Sequence, residues 1–246
     1  IYRQEVGQEY PRPVPQAPRR GDRAAIAHDR RMLAGGVQWT DPREWLVKAL
    51  EAAGRDVAEA EVLLSPRVGS RKAQAIADLA AYEEARRIFA GLIAQGRKEL
   101  EPQLATLCIE KAFVHASAED LPGAVAFHDR ALEMWERLVN VEGRRELAND
   151  LAAAYMNKAN ALGSLGDNRT AVAFYDRAIE MWERLVNVEG RRELANNLAG
   201  AYMNKANALR SLGDHRTAVA FYDRAIEIRE RLVNVEGRRE LANNLA

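Results

Sequence analysis

Residues 146–190 read ELANDLAAAYMNKANALGSLGDNRTAVAFYDRAIEMWERLVNVEG. In the first twenty, Leu147, Leu151, Ala154, Tyr155, Ala159, Leu162 and Leu165 recur at spacings of three and four, which puts them on one face of an amphipathic helix. Gly166 then tolerates the left-handed backbone that ends a helix, and Asp167 offers a carboxylate oxygen to the first free amides of the next one. From Arg169 onward, Ala171, Phe174, Tyr175, Ala178, Ile179, Leu185 and Val186 make a second apolar face, closed by Asn187 to Gly190. The stretch predicts a hairpin of two helices, A and B.

The same hairpin recurs along the chain. Residues 144–190 and 191–237 are identical at 41 of 47 positions, and residues 97–143 match the next copy at 27 of 47. A partial copy runs from Arg238 to Ala246. One hairpin cannot bury both apolar faces by itself, so successive copies must stack and share a core, which predicts an all-α solenoid. Small residues at Ala159, Ala171 and Ala178 let the helices approach, and Tyr175 fills the space between them.

Tyr155, Ala159, Leu162, Gly166, Asp167, Ala171, Tyr175 and Ala178, repeated as Tyr202, Ala206, Leu209, Gly213, Asp214, Ala218, Tyr222 and Ala225, resemble the tetratricopeptide repeat. The stretches RAIEIRERL and LANNLA are also similar to the longer repeats of kinesin light chains. The resemblance implies a right-handed α-solenoid whose concave wall is lined by helix A. Three features depart from the family pattern: the period is 47 and not about 34, Lys158 and Lys205 stand where the family usually carries Leu, and no proline closes helix B. The long period predicts that each helix gains a turn or two.

The flanks differ. Residues 1–39 are read as a Pro/Arg-rich leader or linker, since Pro11, Pro13, Pro15 and Pro18 among arginines favour an extended solvated chain. Residues 40–96 are read as an atypical N-terminal helical cap. Helical periodicity runs from Trp45 to Leu64 with a break near Gly54, and Ala73–Gly96 aligns with helix B when shifted by one period. Residues 97–246 hold the tandem repeats. The chain starts at Ile1 and its last residues break off inside a repeat, so it is expected to be a segment of a longer protein.

Composition excludes several classes of partner. Thirty-six Lys plus Arg balance thirty-six Asp plus Glu, which leaves no net field to draw in nucleic acid or an anionic membrane. Charged residues interrupt every apolar run long before a membrane span, and Cys108 is the single cysteine, so a cytoplasmic location is expected. No phosphate-binding glycine loop, zinc-protease helix or nucleophile elbow occurs, and neither a cofactor nor catalysis is implied.

Two constellations are candidate sites. Cys108, His115 and His128 replace Tyr155, Leu162 and Tyr175 of the later copies, a set fit for zinc or for a thiol and imidazole pair, against the plainer reading of ordinary substitutions beside the cap. The ladder Lys111, Lys158 and Lys205 suits an anion, against the plainer reading of stems packed along the hairpin with each ammonium paired to a helix B carboxylate such as Asp176 or Glu180. The plainer reading is preferred for both.

The binding face is expected on helix A, on the side away from helix B. There the wheel places Asn149, Met156 and Asn160, and one period later Asn196, Met203, Asn207 and Arg210. An asparagine amide both donates and accepts, so it pairs with a peptide backbone whatever the side chains, and methionine adds an adaptable apolar contact. Asp150/Asn197, Ala153/Gly200 and Gly163/Arg210, three of the six differences between the two best-matched copies, fall on or beside this face. The expected function is a scaffold that binds a protein or peptide in a concave groove, with self-association through the repeat ends as a further expectation. The alternative is that the segment is the regulatory or sensor arm of a larger signalling enzyme, a kinase, protease or NTPase, whose catalytic domain lies outside it.

Overall fold

The computed structural model describes residues 42–58, 60 and 71–234. The leader at 1–39, the end of the Trp45–Leu64 periodicity and the partial copy from Arg238 lie outside the described residues. Eight helices follow in chain order: α1 (Pro42–Ala52), α2 (Arg71–Ala94), α3 (Glu101–Ser117), α4 (Leu121–Glu136), α5 (Ala148–Leu165), α6 (Asn168–Glu183), α7 (Ala195–Ser211) and α8 (His215–Asn234). The described residues contain no strand. Helices α3, α5 and α7 are the A helices, and α4, α6 and α8 are their B partners.

Each turn inside a hairpin follows the chemistry of its residues. Gly166 has φ 93°, and Asp167 Oδ1 accepts the Thr170 amide at 3.1 Å, which satisfies one of the orphan amides at the start of α6. Asp120 and Asp214 cap α4 and α8 in the same way, at 3.0 and 3.1 Å. Between hairpins the chain adds two short pieces, a π-helical turn (Arg137–Val141, Arg184–Val188) and a 3₁₀ turn (Arg145–Leu147, Arg192–Leu194). These pieces, together with A helices of 17 or 18 residues, account for the long period.

Packing is sequential. Each described helix packs on the next, and each A helix also touches the A helix of the following hairpin, α3 with α5 and α5 with α7. One apolar cluster runs through all three hairpins and holds Trp135, Tyr155, Tyr175, Trp182 and Tyr202. A second joins α1 and α2 to α3 through Trp45, Tyr82, Phe89 and Leu107. Buried Glu110 ties this cluster together, because its Oε2 accepts from Trp45 Nε1 at 2.6 Å and from the Tyr82 hydroxyl at 3.2 Å.

Polar contacts fix how one hairpin sits on the next. The Tyr155 hydroxyl donates to Glu136 Oε1 at 2.5 Å, and Tyr202 donates to Glu183 one period later. Lys158 pairs with Asp129, Lys205 Nζ lies 2.5 Å from Asp176 Oδ1, and Lys111 pairs with Glu83 of α2. Each ammonium also sits over the phenylalanine of its own B helix, 4.4 Å from the Phe127 centroid, 4.1 Å from Phe174 and 3.8 Å from Phe221. The lysine that replaces the usual leucine therefore spans two hairpins, with its stem in one and its charge on the carboxylate of the one before.

Candidate functional site

Consecutive A helices touch, and a groove is lined by residues from the C-terminal parts of α5 and α7. Ala153 and Met156 are each 2% exposed, because α5 is covered there by its neighbours. Further along, Asn160 and Ser164 of α5 and Asn207 and Ser211 of α7 line a groove of about 380 Å³. Phe113 of α3 and His128 of α4 close one end, and no lysine, arginine, aspartate or glutamate lines it among the described residues. The lining repeats at the period of the chain, as Asn157 with Asn204, Asn160 with Asn207, and Ser164 with Ser211.

Hydrogen bonds hold these side chains in place. The Tyr175 hydroxyl donates to Asn160 Oδ1 at 2.6 Å, and the Tyr222 hydroxyl donates to Asn207 Oδ1 at 2.5 Å. Asn204 Nδ2 donates to Asn160 Oδ1 at 3.2 Å, which links successive A helices. Ser164 and Ser211 donate to the carbonyls of Asn160 and Asn207, each at 3.0 Å. The groove is thus a neutral polar wall in which Asn160 and Asn207 are oriented from behind by tyrosines of the B helices.

The sequence profile of the tetratricopeptide repeat matches residues 104–144, 151–191 and 198–238. The chain belongs to the tetratricopeptide repeat family. Tetratricopeptide repeats generally mediate protein–protein interactions, and the fold is typically a scaffold without catalysis. A search of curated proteins returns no match. In this tetratricopeptide repeat protein no described helix is long and apolar enough to cross a membrane.

Of the residues expected on the binding face, Asn160 and Asn207 line the groove. Asn149 does not: its Oδ1 accepts from Trp182 Nε1 at 2.9 Å and from Asn197 Nδ2 at 3.5 Å. Met156 is a core residue, and that burial corrects its reading as a ligand contact. Asn196 and Met203 are half-buried, with Arg229 Nη1 donating to Met203 Sδ at 3.4 Å, and Arg210 is exposed. Sequence reading missed Asn157, Ser164, Asn204 and Ser211. Their signal was present as identical polar residues one period apart, on a face turned by about one residue from the expected one.

The cysteine and histidine constellation does not converge. No group of three or more His, Cys, Asp or Glu side chains able to hold a metal ion exists among the described residues. Cys108 is buried, and desolvation pushes its thiol up to about 11, far from a reactive thiolate. His115 Nδ1 lies 2.8 Å from Asp120 Oδ2 while its ring stacks on Phe127 at 4.9 Å. His128 is buried edge-on to Phe113 at 5.6 Å, and desolvation pushes it down to about 3, so its imidazole is neutral.

Proposed function

We propose that this protein is a scaffold that holds an extended peptide segment of a partner protein along the wall of A helices, without chemistry of its own. The carrying observation is the neutral groove of about 380 Å³ whose asparagine and serine lining repeats one period apart. An extended chain presents a carbonyl or an amide every few ångströms, and amide and hydroxyl side chains pair with either. A wall without charge also avoids leaving an unpaired buried ion when the peptide covers it. The Pro/Arg-rich stretch 1–39 as a linker, 40–96 as a cap and 97–246 as the binding array complete this reading.

Gly163 provides the test. A Cβ at this position meets only Asn168 Oδ1, at 3.7 Å, and the next copy carries Arg210 there, so the fold accepts the change. In Gly163→Arg the guanidinium stem occupies the groove. Twelve-residue peptides selected from a random library on the wild-type chain should bind this variant at least about tenfold more weakly at unchanged melting temperature. Equal binding by fluorescence polarisation would place the peptide site elsewhere.

A further inference from the structure

The asparagine framework has a gap at the first repeat, and the gap falls inside the groove. One period before Asn160 stands Phe113, which has no acceptor, and one period before Tyr175 stands His128. In the second and third hairpins, Asn160 Oδ1 accepts both from Tyr175 and from Asn204. By register, the corresponding groups one period earlier are His128 and Asn157, and both would meet the ring of Phe113. Neither His128 Nδ1 nor either end of the Asn157 amide has a hydrogen-bond partner among the described residues. Both side chains are almost fully buried, 3% and 1% exposed, and both line the groove.

These two differences leave Asn157 Nδ2, Asn157 Oδ1 and His128 Nδ1 unpaired at one end of the groove, where buried polar groups are normally satisfied. Asn157 Nδ2 and a protonated Nδ1 of neutral His128 both require an oxygen, while Asn157 Oδ1 requires an N–H. A carboxylate carries the oxygen but not the N–H, and the nearby Lys158 is already paired with Asp129, so a carboxylate would bring a charge without a counter-ion of its own. An alkyl chain carries neither. A carboxamide carries both without charge, and it is the group that the later copies carry at this position, as Asn160 and Asn207.

We propose that this end of the groove is a specificity subsite for a carboxamide, the glutamine or asparagine side chain of a bound peptide, with Asn157 and His128 as its hydrogen-bonding partners. The half-buried Phe113 ring packs edge-on against His128 at the same end of the groove. The subsite rests on the groove reading above and adds which side chain the groove selects.

The test uses the full chain and three peptides, acetyl-Ala-Ala-Xaa-Ala-Ala-N-methylamide with Xaa as Gln, Glu or Leu, so that only the Gln peptide carries a primary carboxamide, titrated to millimolar concentration by NMR. The Gln peptide should bind about tenfold tighter than the other two and shift the Asn157 side-chain amide and the His128 ring. Phe113→Asn supplies the missing oxygen from within and should erase that preference. Asn157→Leu, which replaces the unpaired amide by an apolar side chain of similar size, should erase it too, and it keeps the test standing if Phe113→Asn does not fold. Shifts at Asn207 and Ser211 without preference for Gln, or without response at Asn157, overturn the subsite and leave the groove. No shift along the groove with any peptide overturns both.

Discussion

His128 shows how a single residue ties stability to pH in this fold. It is buried beside Phe113 with Lys158 adding a repelling charge, and its ring is pushed from an ordinary 6.5 down to about 3. The unfolded chain therefore takes up the proton first as pH falls, so the stability this residue confers is full above about 6.5 and is lost from there toward 3. The slope approaches about 1.4 kcal/mol per pH unit for one proton. Replacing His128 by Phe removes the titration, so the variant should gain on the wild type by roughly 2 kcal/mol in urea unfolding between pH 7 and pH 5. A gap that does not change with pH would mean that the imidazole titrates normally in the fold. At this scale the sequence was legible where chemistry is local and blurred where it depends on a neighbouring repeat. The sequence of Lys205 and its helix B carboxylates shows the need for a counter-ion, but the place of Asp176 on the preceding hairpin is set by stacking. Met156 and Asn160 lie four apart on one stripe of α5, yet one is sealed by adjoining helices and the other opens to the groove. No helical wheel distinguishes them.

Helix ends carry most of what was read correctly about the elements. The glycine and aspartate pair predicted a left-handed stop followed by a cap, and Gly166 and Gly213 have φ 93° and 85° with Asp167 and Asp214 accepting the amides beyond. In the first hairpin Glu119 holds the glycine's place at φ 64°, where its Cβ crowds the following carbonyl. Glu119→Gly removes that crowding, offset in part by the extra freedom glycine has in the unfolded chain. It should stabilise the protein by about 0.5–1 kcal/mol, measured by urea unfolding, and a loss of stability would show that Glu119 contributes a contact that outweighs the strain. The π-helical turns at Arg137–Val141 and Arg184–Val188 were not legible in the same way. Apolar periodicity assumes 3.6 residues per turn, and a turn that takes in an extra residue rotates the stripe. Val141 and Val188 are accordingly 79% exposed, while Leu138 and Leu185 remain buried.

At the scale of the whole molecule, the 47-residue repeat was enough to predict stacking, because a hairpin with two apolar faces has no other way to cover them. Ile179 shows the cover at work: it is buried in the apolar cluster that runs through all three hairpins. The position of the groove was not legible, since it depends on where consecutive A helices part, and that follows from side chains contributed by three hairpins together. A solenoid held by neighbour contacts makes a clear prediction about length. Removing residues 144–190 joins Gly143 to Arg191, and the new junction reads as the old one did. Lys205 then finds Asp129 where it had Asp176, and Tyr202 finds Glu136 where it had Glu183. Helicity per residue should be retained, unfolding should stay cooperative, and the urea m-value should fall by roughly a fifth with the surface removed. A deletion of 34 residues from the same start cuts through α6, joins mismatched faces and should unfold without a cooperative transition. Equal behaviour of the two deletions, followed by circular dichroism, would show that stability does not propagate from hairpin to hairpin. The 47-residue deletion also removes Asn157, Asn160 and Ser164 from the wall, so it should lose peptide capture while keeping its fold.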